Sequence, residues 1–250
     1  MLGAGLARSG LGWWPVRVRT GLAEGARWTL YPFSSYWRGT HEPELQAAMA
    51  RLGGGDISGW SCWDLGAHFG IYAVGLARRV GPGGEVVAFE PDPKSYRRLA
   101  HHARRNRLPW LKTYQAAVSD HSGRAELYTY GRPGDTVSHL PYEGEPRIAA
   151  ARPLSIASVR LDDLVSSGEV RPPRFVKLDV EGHGHRALAG MAETLRAHRP
   201  VLIVAFHSAA EYEGVTSLLA PLNYAWSPIL AGIETDPSPI GRDFLFQPRT

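Results

Sequence analysis

Apolar residues along this 250-residue chain fall into short blocks whose period switches between two values. After Gly53-Gly54-Gly55, residues 60–65 (Trp-Ser-Cys-Trp-Asp-Leu) form a mostly apolar block closed by Gly66, the mark of a short buried strand. Residues 69–80 then set Phe69, Ile71, Tyr72, Val74, Leu76, Ala77 and Val80 at helix-compatible spacing, and Gly81-Pro82-Gly83-Gly84 stops them. Glu85 to Phe89 reads as a second strand. Asp92 is placed as an N-cap with Pro93 at the first helical position, so a helix is predicted over 93–106. Tyr96, Leu99, Ala100 and Ala103 share one face of it. Arg97, Arg98, His101, His102, Arg104 and Arg105 fall mostly on the other, where both histidines are expected to meet solvent. A third strand covers about 112–118.

Residues 124–130 and 154–161 alternate and predict two more strands, with a Pro-, Gly- and charge-rich loop over 131–153 between them. Phe175 to Leu178, a helix over 184–197, Val201 to Phe206, a helix over 209–220 and Asp243 to Gln247 complete the series. Strand, glycine turn, helix and strand again is the βαβ unit, which demands a parallel sheet with right-handed crossovers. The prediction is an α/β domain over 56–250, a three-layer, Rossmann-like and mostly parallel sheet, preceded by a helical extension over 1–55.

Hydrophobic residues make up 44% and charged residues 21% of the chain, ordinary globular values that exclude a disordered or fibrous protein. One cysteine, Cys62, excludes a disulfide framework and a Cys-based zinc site. No apolar run reaches the ~18 residues of a membrane span. Residues 1–23 carry Arg17 and Arg19 where a signal peptide needs small residues, so the reading is a cytoplasmic enzyme. Trp13 and Trp14 in that stretch suit packing on the domain itself or on a second copy, which makes the N-terminal segment the candidate homodimer contact. The net charge of +4 is local: residues 78–112 hold nine Lys or Arg against three Asp or Glu. Such a patch is what a nucleic-acid binder shows, so composition leaves that class open.

The chemistry begins at Asp64-Leu-Gly66-Ala-His-Phe-Gly70, which closes the first strand and opens the first helix. Glycines there let backbone approach a ligand, at the carboxyl ends of the strands where open α/β sheets bind. The string is neither G-x-G-x-x-G nor a P-loop, which weakens a dinucleotide oxidoreductase and a nucleotide-phosphate site. Glu90, at the end of the second strand, can accept both hydroxyls of a ribose. The two features together resemble the class I methyltransferase fold, which binds S-adenosylmethionine. The resemblance implies cofactor contacts from Asp64, Gly66, Ala67, His68, Gly70, Glu90 and Pro91, from Ala117, Val118 and Asp120 after the third strand, and from Asp179.

A second cluster, Phe175-Val-Lys177-Leu-Asp179-Val-Glu181-Gly182, narrows the match. With Val87-Ala-Phe-Glu90-Pro91, Ala117-Val-Ser-Asp120, Arg160-Leu-Asp162-Asp163-Leu164 and the earlier stretch Arg38–Leu45, it resembles the FkbM family of S-adenosylmethionine-dependent methyltransferases, in order from about Gly39 to Gly190. Lys177 is one of three lysines beside 25 arginines, which supports a required ammonium, either in catalysis or in a structural ion-pair network of Lys177, Asp179 and Glu181 at the strand end. The resemblance implies O-methylation of a small-molecule acceptor, a sugar hydroxyl or a secondary-metabolite scaffold. The catalytic candidates are Asp179, His207, Lys177, Glu181 and His183. Histidine suits a general base because its reference pKa lies near neutrality, and Lys177 is expected to pair with Asp179 or Glu181. Ser138, His139 and Tyr142 in the 131–153 loop are the candidate acceptor contacts.

Two departures from the family pattern stand out. Gly184 and Ala205 occupy positions where members commonly carry acids. Asp179, His183 and His207 could supply an O/N set for a divalent ion, but those two losses argue against it and no metal is expected. A nucleic-acid methyltransferase is the alternative; the chain lacks an N-P-P-Y-like string, and Cys62 lies in a strand rather than at a cytosine-directed nucleophile. A non-catalytic cofactor-binding module is the other, with Gly184 and Ala205 as its signature.

Overall fold

The computed structural model describes residues 13–31, 34–129, 152–229 and 238–249. It opens with an antiparallel hairpin, β1 (Pro15–Arg17) and β2 (Arg27–Thr29), followed by helix α1 (Pro43–Ala50). The α/β series comes next: β3 (Ser61–Leu65), α2 (Ile71–Val80), β4 (Glu85–Phe89), α3 (Pro93–Arg105) and β5 (Leu111–Tyr114). A small side sheet holds β6 (Ala117–Val118), β7 (Gly123–Thr129) and β8 (Arg152–Val159). The second half contributes α4 (Leu161–Ser166), β9 (Phe175–Leu178), α5 (Gly184–Ala189), α6 (Ala192–His198), β10 (Val201–Phe206), α7 (Ala209–Leu219), β11 (Tyr224–Pro228) and β12 (Arg242–Pro248).

Seven strands form the main sheet in the order β11-β12-β10-β9-β3-β4-β5. Pairing is parallel from β10 through to β5 and antiparallel at β10–β12 and β12–β11. The chain leaves β3 towards β5, then returns to β9 on the other side. The point where the order reverses, between β3 and β9, is where such sheets open a crevice for ligands. Strands β3, β4 and β9 are buried along their whole length, which is why they read as continuous apolar blocks rather than alternating ones. Their residues alternate between two cores: Cys62, Val86 and Ala88 join α2 and α3 on one face, while Trp63, Val87 and Phe89 join α5, α6 and α7 on the other.

The elements that sequence periodicity predicts are present, with physical differences at three places. The block read as one strand over 112–118 divides into β5 and the separate β6, and the helix read over 184–197 breaks at Gly190. A Cβ at Gly190 would lie 1.9 Å from the carbonyl oxygen of Ser119, so backbone crosses backbone there. Among the described residues the extension read as helical holds an α-helix and the β1–β2 hairpin, and Val18, Trp28, Leu45 and Met49 from it lie in the same core as α2 and α3.

That hairpin overturns the solvent face of α3. His102 is fully buried, its ring stacked on Trp28 with centroids 3.5 Å apart. Its Nδ1 meets the Phe69 carbonyl at 2.8 Å, and its Nε2 takes the Thr29 amide at 3.2 Å and the Thr29 hydroxyl at 2.7 Å. A carbonyl on one side and an amide donor on the other fix the neutral Nδ1–H tautomer. Burial pushes its pKa down to about 3. Arg98 is buried too and donates to the Thr29 hydroxyl. Asn106 then ties the end of α3 to β2 through the Arg27 amide and carbonyl.

Candidate active site

The turn after β3 is built from close backbone contacts. Gly66 has φ +84°, and a Cβ on it would stand 1.8 Å from the Asp179 carbonyl oxygen, so only glycine lets β3 and β9 come together here. The amides of Gly66 and Ala67 both donate to the Phe89 carbonyl, at 3.0 and 2.8 Å. His68 follows at φ +49° and its amide donates to Glu90 Oε2 at 2.7 Å, while Glu90 Oε1 accepts from the Asp92 amide at 2.8 Å. Burial raises the Glu90 pKa to about 8 against the pull of those two amides.

The His68 ring stacks on Phe69, and its Nδ1 lies 2.9 Å from the Tyr36 hydroxyl. Burial holds that phenol protonated, so it donates and His68 Nδ1 accepts. The proton of the neutral ring therefore sits on Nε2, which is buried, lacks a hydrogen-bond partner among the described residues, and belongs to a side chain lining the main cavity. The same cavity wall includes Glu90, Pro91, Ala117 and Val118.

Opposite lies the end of β9. Lys177 is 2% exposed and donates to Asp179 Oδ2 at 3.0 Å; its Nζ stands 4.0 Å from Asp64 Oδ1 and over the Tyr72 ring. Burial opposes its charge, but the carboxylates of Asp179 and Asp64 prevail and raise its pKa. Asp64 is completely buried with neither oxygen hydrogen-bonded among the described residues, and burial lifts its pKa to about 6 despite the ammonium. Asp179 is held below the ordinary carboxylate range: burial works against this, and Lys177 and His207 outweigh it.

His207 presents Nε2 at 3.4 Å from Asp179 Oδ1 and 3.4 Å from Glu181 Oε2, and Nδ1 at 3.5 Å from Glu211 Oε2. Burial disfavours its charge, but the Glu211, Glu181 and Asp179 carboxylates raise its pKa to about 9. The carboxylates around the ring thus favour its protonated form over that of a free imidazole. Glu211, 1% exposed, accepts the Gly184 amide on one oxygen and the His207 amide on the other, both at 2.8 Å. A Cβ at residue 184 would approach Glu211 Oε1 to 2.6 Å. The acid missing at Gly184 is thus met by a carboxylate from α7 that occupies the space beside it.

A profile of the methyltransferase FkbM domain matches residues 64–231, more than half of the chain. The chain belongs to the FkbM methyltransferase family. It is 30% identical over 159 residues to the hexuronic acid methyltransferase AglP of Haloferax volcanii, covering 63% of this chain and 60% of that protein. It is 28% identical over 156 residues to the 2-O-methyltransferase NoeI of Sinorhizobium fredii, covering 57% and 61%. This FkbM chain therefore spans about three fifths of the length of those curated relatives. Its fold matches the crystal structure of the FkbM methyltransferase of Methylobacillus flagellatus KT with a TM-score of 0.53 at 20% identity, over 79% of this chain and 47% of that one.

Within this FkbM fold the residues singled out from sequence divide into walls and supports. Gly66, His68, Glu90, Pro91, Ala117, Val118, Asp179, Glu181, His183 and His207 line the cavity. Asp64, Ala67, Gly70 and Lys177 lie outside its lining. Asp64 and Lys177 form the charged floor behind Asp179, and Gly70 lets α3 approach, since its Cβ would reach Leu99 Cδ1 at 2.5 Å. Asp120 also lies outside the lining, with its carboxylate at 2.7 Å from His121 Nδ1. His183 turns to Ser119, with Nε2 at 3.1 Å from the hydroxyl, and burial lowers its pKa to about 4. It stands with the β6 side of the cavity rather than with Asp179 and His207. Ser138, His139 and Tyr142 lie outside the described residues.

Sequence reasoning missed Glu211, Tyr36, His41, Glu42, Arg242 and Asp243. The last five line the cavity, and Glu42 accepts a hydrogen bond from the Tyr72 hydroxyl. Glu211 carried a readable signal: Ser208-x-x-Glu211 is a capping box, and Ser208 Oγ does accept the Glu211 amide at 3.2 Å. The Arg38–Leu45 stretch is part of the family resemblance, but nothing in its spacing says that it bends over the site.

Proposed function

We propose that the chain is an S-adenosylmethionine-dependent O-methyltransferase whose acceptor is a hydroxyl of a sugar-like small molecule. One observation carries this reading: Glu90 and His68 line one cavity at the β3–β4 edge, and the Asp179, Glu181 and His207 cluster lines it from the β9–β10 edge. The residues fit the cofactor. Glu90 would accept the paired hydroxyls of a ribose, and Gly66, His68, Pro91, Ala117 and Val118 would wall the cofactor beside it. When bound, the cofactor supplies a methyl group on a sulfonium centre.

The chain's own part is placement. Alignment of an oxygen behind the methyl group is the larger share of such a barrier. Asp179 is fixed for that task by Lys177, and the His207 backbone by Glu211, which accepts its amide. The named relatives act on a hexuronic acid and as a 2-O-methyltransferase, which supports a polyhydroxylated acceptor. A role in secondary metabolism and a cytoplasmic setting belong to the same reading; among the described residues no helix is long and apolar enough to cross a membrane. The β2 hairpin covers part of the α3 charge, which supports a small-molecule acceptor over a nucleic acid.

Calorimetric titration with S-adenosylhomocysteine tests the cofactor, and methyl transfer from radiolabelled donor to a panel of glycosides and uronic acids tests the acceptor. The expected results are saturable binding weakened at least tenfold in Glu90→Ala, and label in a sugar product. No heat with the intact chain would overturn the cofactor assignment.

A further inference from the structure

We propose that Asp179 Oδ1, Glu181 Oε2 and His207 Nε2 form a site for one divalent cation, of the class that accepts mixed carboxylate and imidazole ligands, such as Mn²⁺. One donor atom from each of the three side chains lies within 4.8 Å of the other two. Nε2 is 3.4 Å from each carboxylate oxygen. That is too long for a charge-assisted hydrogen bond, which closes to about 2.7–2.9 Å, and one N–H cannot aim at both. It is the separation of donors that share an ion: two atoms each about 2.1 Å from a common centre stand about 3.0–3.4 Å apart at octahedral to tetrahedral angles.

The surroundings supply a second, independent mark. A metal-bound histidine presents its other nitrogen to a carboxylate that fixes its tautomer. His207 Nδ1 is buried without a hydrogen-bond partner among the described residues and stands 3.5 Å from Glu211 Oε2, a distance a small ring rotation on ion binding would close, and Glu211 is itself buried and pinned by two amides, one of them that of His207. Asp179 keeps its second oxygen on Lys177 and leaves Oδ1 towards the cavity. The ligand side chains are each about a quarter exposed, at 26% for His207 and Glu181 and 29% for Asp179, so an ion held by them keeps open positions on the cavity side. The set differs from the Asp179, His183 and His207 trio considered from sequence, because His183 points to Ser119 and Glu181 takes its place. Glu181 reaches that place at φ +50°, a left-handed backbone rare for a side chain of its kind.

The role of the ion rests on the function proposed above. Neighbouring oxygens of a sugar diol could fill the open positions, which would orient the acceptor. The site itself is testable apart from turnover. The full chain, stripped with a chelator, is titrated with Mn²⁺ alone while the free-ion electron paramagnetic resonance signal is followed. In parallel, S-adenosylhomocysteine binding and a thermal melt are recorded on each variant. The expected result is one Mn²⁺ per chain, weakened at least tenfold in Asp179→Asn, Glu181→Gln and His207→Gln, with a smaller loss in Glu211→Gln, in variants that still melt cooperatively. No Mn²⁺ uptake below millimolar concentration, or unchanged affinity in folded Glu181→Gln and His207→Gln, would overturn the site. Absent S-adenosylhomocysteine binding beside intact Mn²⁺ binding would instead strike the cofactor assignment and leave the metal site standing.

Discussion

His102 offers the sharpest test of how the N-terminal hairpin is held. Its ring is buried, neutral and bonded on both nitrogens, with a pKa near 3 in the folded chain against about 6.5 when unfolded. The unfolded chain therefore binds the extra proton first as pH falls. The stabilisation is complete above the unfolded pKa, declines as pH drops below about 6.5, and is exhausted below about 3. Linkage puts the loss at about 2 kcal/mol by pH 5 and about 3 kcal/mol by pH 4, relative to pH 7. His102→Asn keeps a donor for the Phe69 carbonyl but cannot titrate. At pH 7 it is expected to cost about 2–4 kcal/mol, from the emptied stacking site on Trp28 and the unpaired Thr29 amide. Urea unfolding of both proteins at pH 7, 5 and 4 measures the difference between them, which removes groups common to both. The gap should close by about 3 kcal/mol between pH 7 and pH 4. A gap constant to within about 0.5 kcal/mol across that range would refute a ring held neutral by burial.

Three further substitutions have defined outcomes, two at the site and one at α6. Lys177→Met strips the counter-charge from buried Asp64 and from Asp179, and should destabilise by about 3–5 kcal/mol in chemical denaturation. Adding Asp64→Asn should recover part of that, and a double variant no more stable than the single one would argue against the pairing. Gly184→Ala must displace the Glu211 carboxylate, at a cost of about 1–3 kcal/mol, and should slow methyl transfer while leaving S-adenosylhomocysteine affinity within about twofold. Asp162 accepts the Glu193 amide and the amide and hydroxyl of Thr194, so Asp162→Ala should lower stability by about 1–2 kcal/mol through α6, read as a lower melting temperature with cofactor affinity unchanged.

The strand blocks and the Asp92 cap were legible because each depends on neighbours close in sequence: Asp92 Oδ1 takes the Lys94 and Ser95 amides, as its position before Pro93 implies. The carboxylates at Glu90, Asp179 and Glu181 were legible because strand ends in this topology converge whatever lies between them. His102 was misread for the complementary reason. Periodicity says which face of α3 is polar, not that a segment some seventy residues earlier will cover it with Trp28 and Thr29. Glu211 is the same case at the site itself, because a glycine at 184 looks like a lost acid until α7 is seen to fill the gap.

The wall that carries Tyr36, His41 and Glu42 is made early and finished late. Its anchors, Arg27 to Asn106 and Thr29 to His102, span 79 and 73 residues. During synthesis at about 5–20 residues per second, that wall would wait roughly 4–15 s for its docking surface to emerge. Until then Trp28 has no His102 to stack on, and the crevice lacks one side. Nascent chains should therefore acquire affinity for the cofactor in a single step once α3 and the strands beyond it have left the ribosome, rather than gradually with length.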